Sequence, residues 1–67
     1  METLRDLRNQ KGLTLMQVAT ELNVSVRAVS RYEQGTRQIN ISQVLILARL
    51  YDCSEREVIE AQFNSCR

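Results

Sequence analysis

The sequence predicts an all-α fold of five short helices, and three observations carry that expectation. Apolar residues recur three and four positions apart along most of the chain, the period of a helix with one buried face, and no stretch alternates as a half-buried strand does. No Pro interrupts the sequence, and the two Gly, Gly12 and Gly35, each close a stretch with helical spacing. A hydroxyl or amide side chain stands three residues ahead of a Gln or Glu at Thr14/Gln17, Asn40/Gln43 and Ser54/Glu57. At that spacing the two side chains satisfy each other's backbone donors at a helix start.

The first helix is expected over 4–11, capped by Thr3, with Leu4 and Leu7 on one face, and ended by Gly12, which enters the left-handed region at little cost. A second helix follows Thr14 over 15–22, with Leu15, Val18, Ala19 and Leu22 on one stripe and Asn23 as its stop. Asn23, Val24 and Ser25 lead to a third helix over 26–34, capped by Ser25, in which Ala28, Val29 and Tyr32 turn inward and Gly35 ends the run. The fourth, over 41–51, is the most hydrophobic, with Ile41, Val44, Leu45, Leu47, Ala48 and Tyr51 as a broad apolar face and Asp52 as terminator. The fifth, over 55–62, carries Val58, Ile59 and Phe63, and the residues after it are expected to fray.

A chain of 67 residues, 43% hydrophobic and 25% charged, has the composition of a folded globular chain. It is read as one domain spanning 1–67, with no room in that span for a separate ligand-sensing domain. The longest apolar run, Val44 to Ala48, is far below the ~20 residues of a membrane span, and no cleavable leader is read, so a cytoplasmic chain without a membrane partner is expected. His is absent, and Cys53 and Cys66 lack the neighbouring ligands or short spacings of metal and redox motifs. No metal, no cofactor and no catalytic residue is therefore expected. Cys53 reads as a small hydrophobe, whereas Cys66 is expected to be exposed and able to bridge two chains.

The net charge of +1 conceals an asymmetry: residues 1–49 hold seven basic and four acidic side chains, residues 50–67 two and four. Eight of the nine basic residues are Arg, whose planar fork suits phosphates and guanine edges. The informative segment is Thr14 to Gly35, where two capped helices joined by a three-residue turn form a helix-turn-helix, with Ala19 small enough for close approach and Val24 filling the core between them. The outward face of the second of these helices then comprises Val26, Arg27, Ser30, Arg31 and Gln34. Arg27 and Arg31 lie one turn apart with no acidic residue three or four positions away, so the ridge is positive and unpaired. Either Arg could take O6 and N7 of guanine or grip phosphate, Ser30 could donate or accept nearby, and Val26 could meet a thymine methyl.

Residues from Leu4 to about Ile59 resemble the helix-turn-helix domain of the lambda-repressor-like (Xre- or Cro-type) family of phage and bacterial regulators. The resemblance rests on Leu4, Leu7, Arg8, Lys11-Gly12-Leu13-Thr14, Val18-Ala19, Leu22, Val24-Ser25, Val29-Ser30-Arg31-Tyr32-Glu33, Gly35, Leu47-Ala48 and Ser54. It implies a third helix in the major groove of double-stranded DNA, with Val26, Arg27, Ser30 and Arg31 at the bases. It further implies phosphate contacts from Thr14, Gln17, Ser25, Thr36, Arg37 and Asn40, and a structural ion pair between Arg8 and Glu33. Two departures stand out. Leu15 occupies a position where the family often has a phosphate-binding Gln, so that contact is either absent or supplied by Gln17, and Ile39 stands in the loop where Pro is frequent.

The leading functional expectation is a sequence-specific transcriptional regulator, a repressor acting as a homodimer, because one module buries only about 600–1,000 Å² on DNA. Exposed members of Val58, Ile59 and Phe63 are the candidate dimer surface, unless these residues only close the core. The alternative is the same fold as a protein-interaction module, an antitoxin or the partner of a phage regulator, which the weak net charge keeps open. An enzyme has little support, with no His and no phosphate-binding Gly-rich loop in the chain.

Overall fold

The structure, a computed structural model, describes residues 2–65. Five helices follow one another, α1 (Leu4–Gln10), α2 (Leu15–Leu22), α3 (Val26–Gln34), α4 (Ile41–Leu50) and α5 (Glu55–Ser65), with no strand among the described residues. This is the all-α, five-helix arrangement expected from the sequence. The starts coincide with the expected ones because each is set by a side-chain cap. Thr3, Thr14 and Asn40 accept from the backbone N–H three residues on while Asp6, Gln17 and Gln43 reach back to the capping residue, and Ser25 accepts from Ala28 N. Ser54 and Glu57 exchange the same pair of bonds at 3.1 Å each.

The first four helices end alike. Gly12, Asn23, Gly35 and Asp52 adopt positive φ, and the N–H of the following residue bonds a carbonyl five positions back: Leu13 to Arg8, Val24 to Ala19, Thr36 to Arg31 and Cys53 to Ala48, at 3.0–3.2 Å. A left-handed residue there returns the chain sharply across the helix end and satisfies its loose carbonyls. The expected boundaries at Lys11 and Tyr51 shift by one residue, since both are the non-helical caps that precede the left-handed residue.

The larger correction is at α5, which runs to Ser65 instead of fraying after 62. Ser65 is buried, and its hydroxyl accepts from Leu4 N at 3.1 Å while donating to Ala61 O at 2.8 Å. Asn64 Nδ2 donates to Glu2 O at 2.8 Å. The end of α5 thus holds the start of α1. The expectation for Cys66 falls outside the described residues.

The core is aliphatic, built on Leu4, Val18, Val29 and Val58, with Tyr32 and Tyr51 also buried. Ala19 is buried where α2 and α3 approach, and Val24 packs against the core from the turn. Four expected core residues lie outside it: Ile41 (80% exposed) and Leu45 (50%) on α4, Ile59 (57%) and Phe63 (79%) on α5. Each helix can bury only one stripe. Val44, Leu47 and Ala48 take that stripe on α4, and Val58, Ala61 and Ser65 take it on α5. No helix among the described residues is long and apolar enough to cross a membrane.

One polar contact crosses this apolar frame. Arg8 Nε donates to Glu33 Oε2 at 2.7 Å, Nη2 to Glu33 Oε1 at 3.2 Å, and Nη1 to the Leu13 carbonyl at 2.9 Å. The side chains are only 12% and 9% exposed, so the pair is shielded from water and joins α1, the α1–α2 turn and α3. Arg8→Ala strands a largely buried carboxylate and a carbonyl. The expected loss is about 2–3 kcal/mol, from a total of roughly 3–10 kcal/mol for a chain of this size. Urea denaturation measures it, and a loss under about 0.5 kcal/mol would class the pair with ordinary surface contacts.

Candidate nucleic-acid interface

The helix-turn-helix is formed by α2, Asn23–Val24–Ser25 and α3. Asn23 sits at φ 57°, ψ 45°, a conformation that Asn tolerates better than other non-Gly residues, and this permits the three-residue turn. Burial of Ala28, Val29 and Tyr32 fixes the rotation of α3 about its axis, so the opposite side faces solvent. There Val26, Arg27, Arg31 and Gln34 are exposed and Ser30 is half-buried, its hydroxyl accepting from Gln34 Nε2 at 3.4 Å. Neither Arg27 nor Arg31 forms an ion pair among the described residues. The structure therefore brings the four residues suggested for base contact onto one helix and leaves both guanidinium groups uncommitted.

The residues suggested for phosphate contact fall into two sets. Thr14, Gln17 and Ser25 occupy the starts of α2 and α3, while Thr36, Arg37 and Asn40 lie between α3 and α4. Thr14 Oγ1, Ser25 Oγ and Asn40 Oδ1 are spent as acceptors for Gln17 N, Ala28 N and Gln43 N. Each keeps a donor, an O–H or an amide N–H, and phosphate oxygens require donors. The first two amides of each helix also lack intrahelical acceptors, which makes each start attractive to an anion.

The loop between α3 and α4 is held from three sides. Thr36 N and Oγ1 both donate to Arg31 O, at 3.1 and 3.3 Å. The Arg37 guanidinium lies over the Tyr32 ring, 5.8 Å from its centroid. Ile39 N donates to Gln62 Oε1 at 2.9 Å. Proline has no N–H, so the Ile39 that departs from the family pattern makes a tether to α5 that Pro could not.

Arg5 is a residue that the sequence reading passed over. With Arg8, Leu15, Ser30, Glu33 and Gln34 it lines a shallow groove where α1 and the start of α2 meet the flank of α3. Its place on the exposed side of α1, one position after the buried Leu4, was readable, but its proximity to α3 was not, because nothing local in the sequence reports how α1 crosses α3.

Three ionisable groups are shifted. The hydrogen bond from Glu33 holds the Arg8 guanidinium above its ordinary value against the opposing effect of burial. Burial, with the Glu33 charge adding to it, pushes the Tyr51 hydroxyl far above the usual phenol range. Burial also raises the Cys53 thiol, aided by the carboxylates of Glu57, Glu2 and Asp52. A thiol held protonated is a poor nucleophile.

The model of the helix-turn-helix domain family matches residues 2–61, nearly the whole chain. The chain belongs to the helix-turn-helix domain family. A Pyrococcus furiosus protein named as an HTH-type transcriptional regulatory protein is 35% identical over 51 residues, covering 76% of this chain and 16% of its own length. A Pyrococcus abyssi protein of the same description is 31% identical over 64 residues, 91% of this chain and 20% of its own length. The uncharacterized HTH-type transcriptional regulator YobD of Bacillus subtilis is 34% identical over 53 residues, 79% of this chain and 47% of its own length. The chain thus spans under half the length of these helix-turn-helix relatives. No solved structure matches it significantly.

The raised Cys53 thiol has a measurable consequence. The folded state favours the protonated form, so this group leaves stability unchanged below the ordinary thiol pKa of about 8.5 and weakens it above. At about pH 8, iodoacetamide should alkylate Cys53 more slowly in the folded chain than in urea, read by the mass of the peptide that carries it; equal rates would contradict the burial argument.

Proposed function

We propose that the chain binds double-stranded DNA sequence-specifically and regulates transcription, as a repressor, by laying α3 in the major groove. The observation that carries this reading is the exposed, uncommitted Arg27–Arg31 ridge on the second helix of a helix-turn-helix. Guanidinium groups one turn apart on a helix that fits the groove suit the acceptor pairs of guanine, and Val26 at the helix tip suits a thymine methyl. Ser30 sits between them as a donor or acceptor to a neighbouring base. Thr14, Gln17, Ser25, Thr36, Arg37 and Asn40 are proposed to contact phosphates on either side, setting register without reading sequence. The names of the three relatives support the regulatory part of the proposal. The role is binding, not catalysis, requires no cofactor, and belongs in the cytoplasm with the DNA.

A homodimer is the proposed working form. Two copies would read half-sites about 34 Å apart on one face of the duplex. Ile59 and Phe63, four apart on α5 and both exposed, are the proposed contact, whereas Val58 is fully in the core and leaves the candidate set. Phe63→Glu should leave the melting temperature nearly unchanged and convert a dimer of the purified chain to a monomer in sedimentation equilibrium. A parent chain that stays monomeric at about 100 µM, a concentration near weak-interface dissociation constants, would remove this surface.

Arg27→Ala and Arg31→Ala should each lower affinity for a selected site by about 1–3 kcal/mol and relax base preference at one position. Arg37→Ala should weaken selected and random duplex alike. Binding curves on both duplexes separate the roles, and equal losses for all three variants would contradict them. Affinity should also fall steeply with salt, whereas an antitoxin-like module that binds only protein would ignore the duplex.

A further inference from the structure

Two glutamines outside the proposed contact set converge on the loop between α3 and α4. Gln43 is buried, although it lies on the most apolar helix of the chain. Its Oε1 accepts from Asn40 N at 2.9 Å and its Nε2 donates to the Tyr32 hydroxyl at 3.0 Å. Tyr32 is itself buried on the inner side of α3, and its ring carries the Arg37 guanidinium. A continuous path therefore runs from Asn40 through Gln43 and Tyr32 to Arg37, both ends being residues proposed to touch phosphate. From the other side, Gln62 Oε1 holds Ile39 N.

A helix cap alone does not account for this arrangement. The capping exchange at Asn40 uses only the backbone N–H and Oε1 of Gln43, as the Thr14–Gln17 box shows with Gln17 left on the surface. At Gln43 the amide is instead buried with its second donor taken by Tyr32, at a site where an apolar side chain would pack with no polar group to satisfy. The chain keeps a buried hydrogen bond that joins the recognition helix to the start of α4, with the loop's cation stacked on the same ring.

We propose that Gln43, acting through Tyr32, and Gln62, acting through Ile39, are positioning residues that hold Arg37 and Asn40 in the geometry that grips DNA phosphates. The proposal rests on the DNA-binding reading above. A preformed loop spares the ordering of Arg37 and its neighbours on binding, so loosening it should weaken phosphate contacts while leaving base preference intact.

The test uses a mixed-sequence duplex of about 20 base pairs and the slope of log affinity against log salt, which changes by about 0.9 for each phosphate contact. Gln43→Met removes both amide bonds at similar volume, and Tyr32→Phe removes only the hydroxyl while keeping the ring beneath Arg37. Each is measured below its melting transition, alone and combined with Arg37→Ala. Expected is a shallower slope by about 0.9–1.8 for Gln43→Met and about 0.9 for Tyr32→Phe. Each variant should also weaken binding less when Arg37 is already Ala, because the contact it positions is gone. If folded variants keep the parent slope and their effects simply add to that of Arg37→Ala, the glutamine is structural and the proposal is overturned. Should Gln43→Met fail to fold, Tyr32→Phe decides by the same two criteria. A parent chain that ignores the duplex even at low salt overturns the DNA-binding reading itself, an outcome separate from an unchanged slope in the variants.

Discussion

Where α3 points is decided by a guanidinium that answers to two partners at once. Arg8 reaches from α1 to the Glu33 carboxylate near the end of α3 and to the Leu13 carbonyl just before α2. Apolar packing of Ala28, Val29 and Tyr32 sets which side of α3 is inside, but such contacts are non-directional and tolerate sliding along the helix axis. The bidentate pair does not tolerate it. Its planar fork accepts the carboxylate in one orientation only, and the shielding that raises the penalty for separating the charges also makes that orientation persistent. With α3 fixed against α1 and the entry to α2, the exposed ridge of Val26, Arg27 and Arg31 has a defined relation to the helix starts on either side of it.

The same frame explains why positive charge remains available on this surface. A chain with nine basic and eight acidic residues could neutralise itself by local pairing. Instead Glu33 is consumed inside by Arg8, and the exposed pairs Lys11–Asp52 and Arg56–Glu60 lie on other elements. Withdrawing an acid from α3 into a buried contact leaves that helix with Arg27 and Arg31 as its free charges. Fold and surface potential thus share one residue: Glu33 both anchors the helix and is kept from masking its face.

Local signals were legible in the sequence and distant ones were not. Every helix start follows from a cap within three residues, and the stops at Gly12, Asn23, Gly35 and Asp52 follow from residues that accept left-handed backbone. Outward Arg27 and Arg31 were legible because three apolar neighbours on a nine-residue helix leave one solution for its rotation. The length of α5 was not, because its last turn is held by a buried Ser65 hydroxyl on Leu4 N, a polar contact across the chain that an apolar period does not register. Ile41, Leu45, Ile59 and Phe63 mislead for the complementary reason: hydrophobicity marks what could be buried, and the finite width of the α4–α5 contact chooses among candidates. The amides of Gln43 and Gln62 belong with Ser65, since a glutamine reads as surface until its partner is known.

What joins these observations is the separation of acceptors from donors. At Thr14, Ser25 and Asn40 the fold turns the side-chain oxygen toward its own backbone and leaves the hydrogen-bearing part free. The first-turn amides of α2, α3 and α4 lack internal acceptors by the geometry of any helix start, so they add to the same tally. Carboxylates near this region are either paired inside, as Glu33 is, or placed on other helices. A surface assembled in this way offers N–H and O–H groups and guanidinium forks with few competing acceptors. A polyanion is the partner to which it is chemically matched, whereas a neutral or acidic-and-basic protein surface would leave many of these donors without acceptors, at an expense of the order of 1 kcal/mol for each one buried.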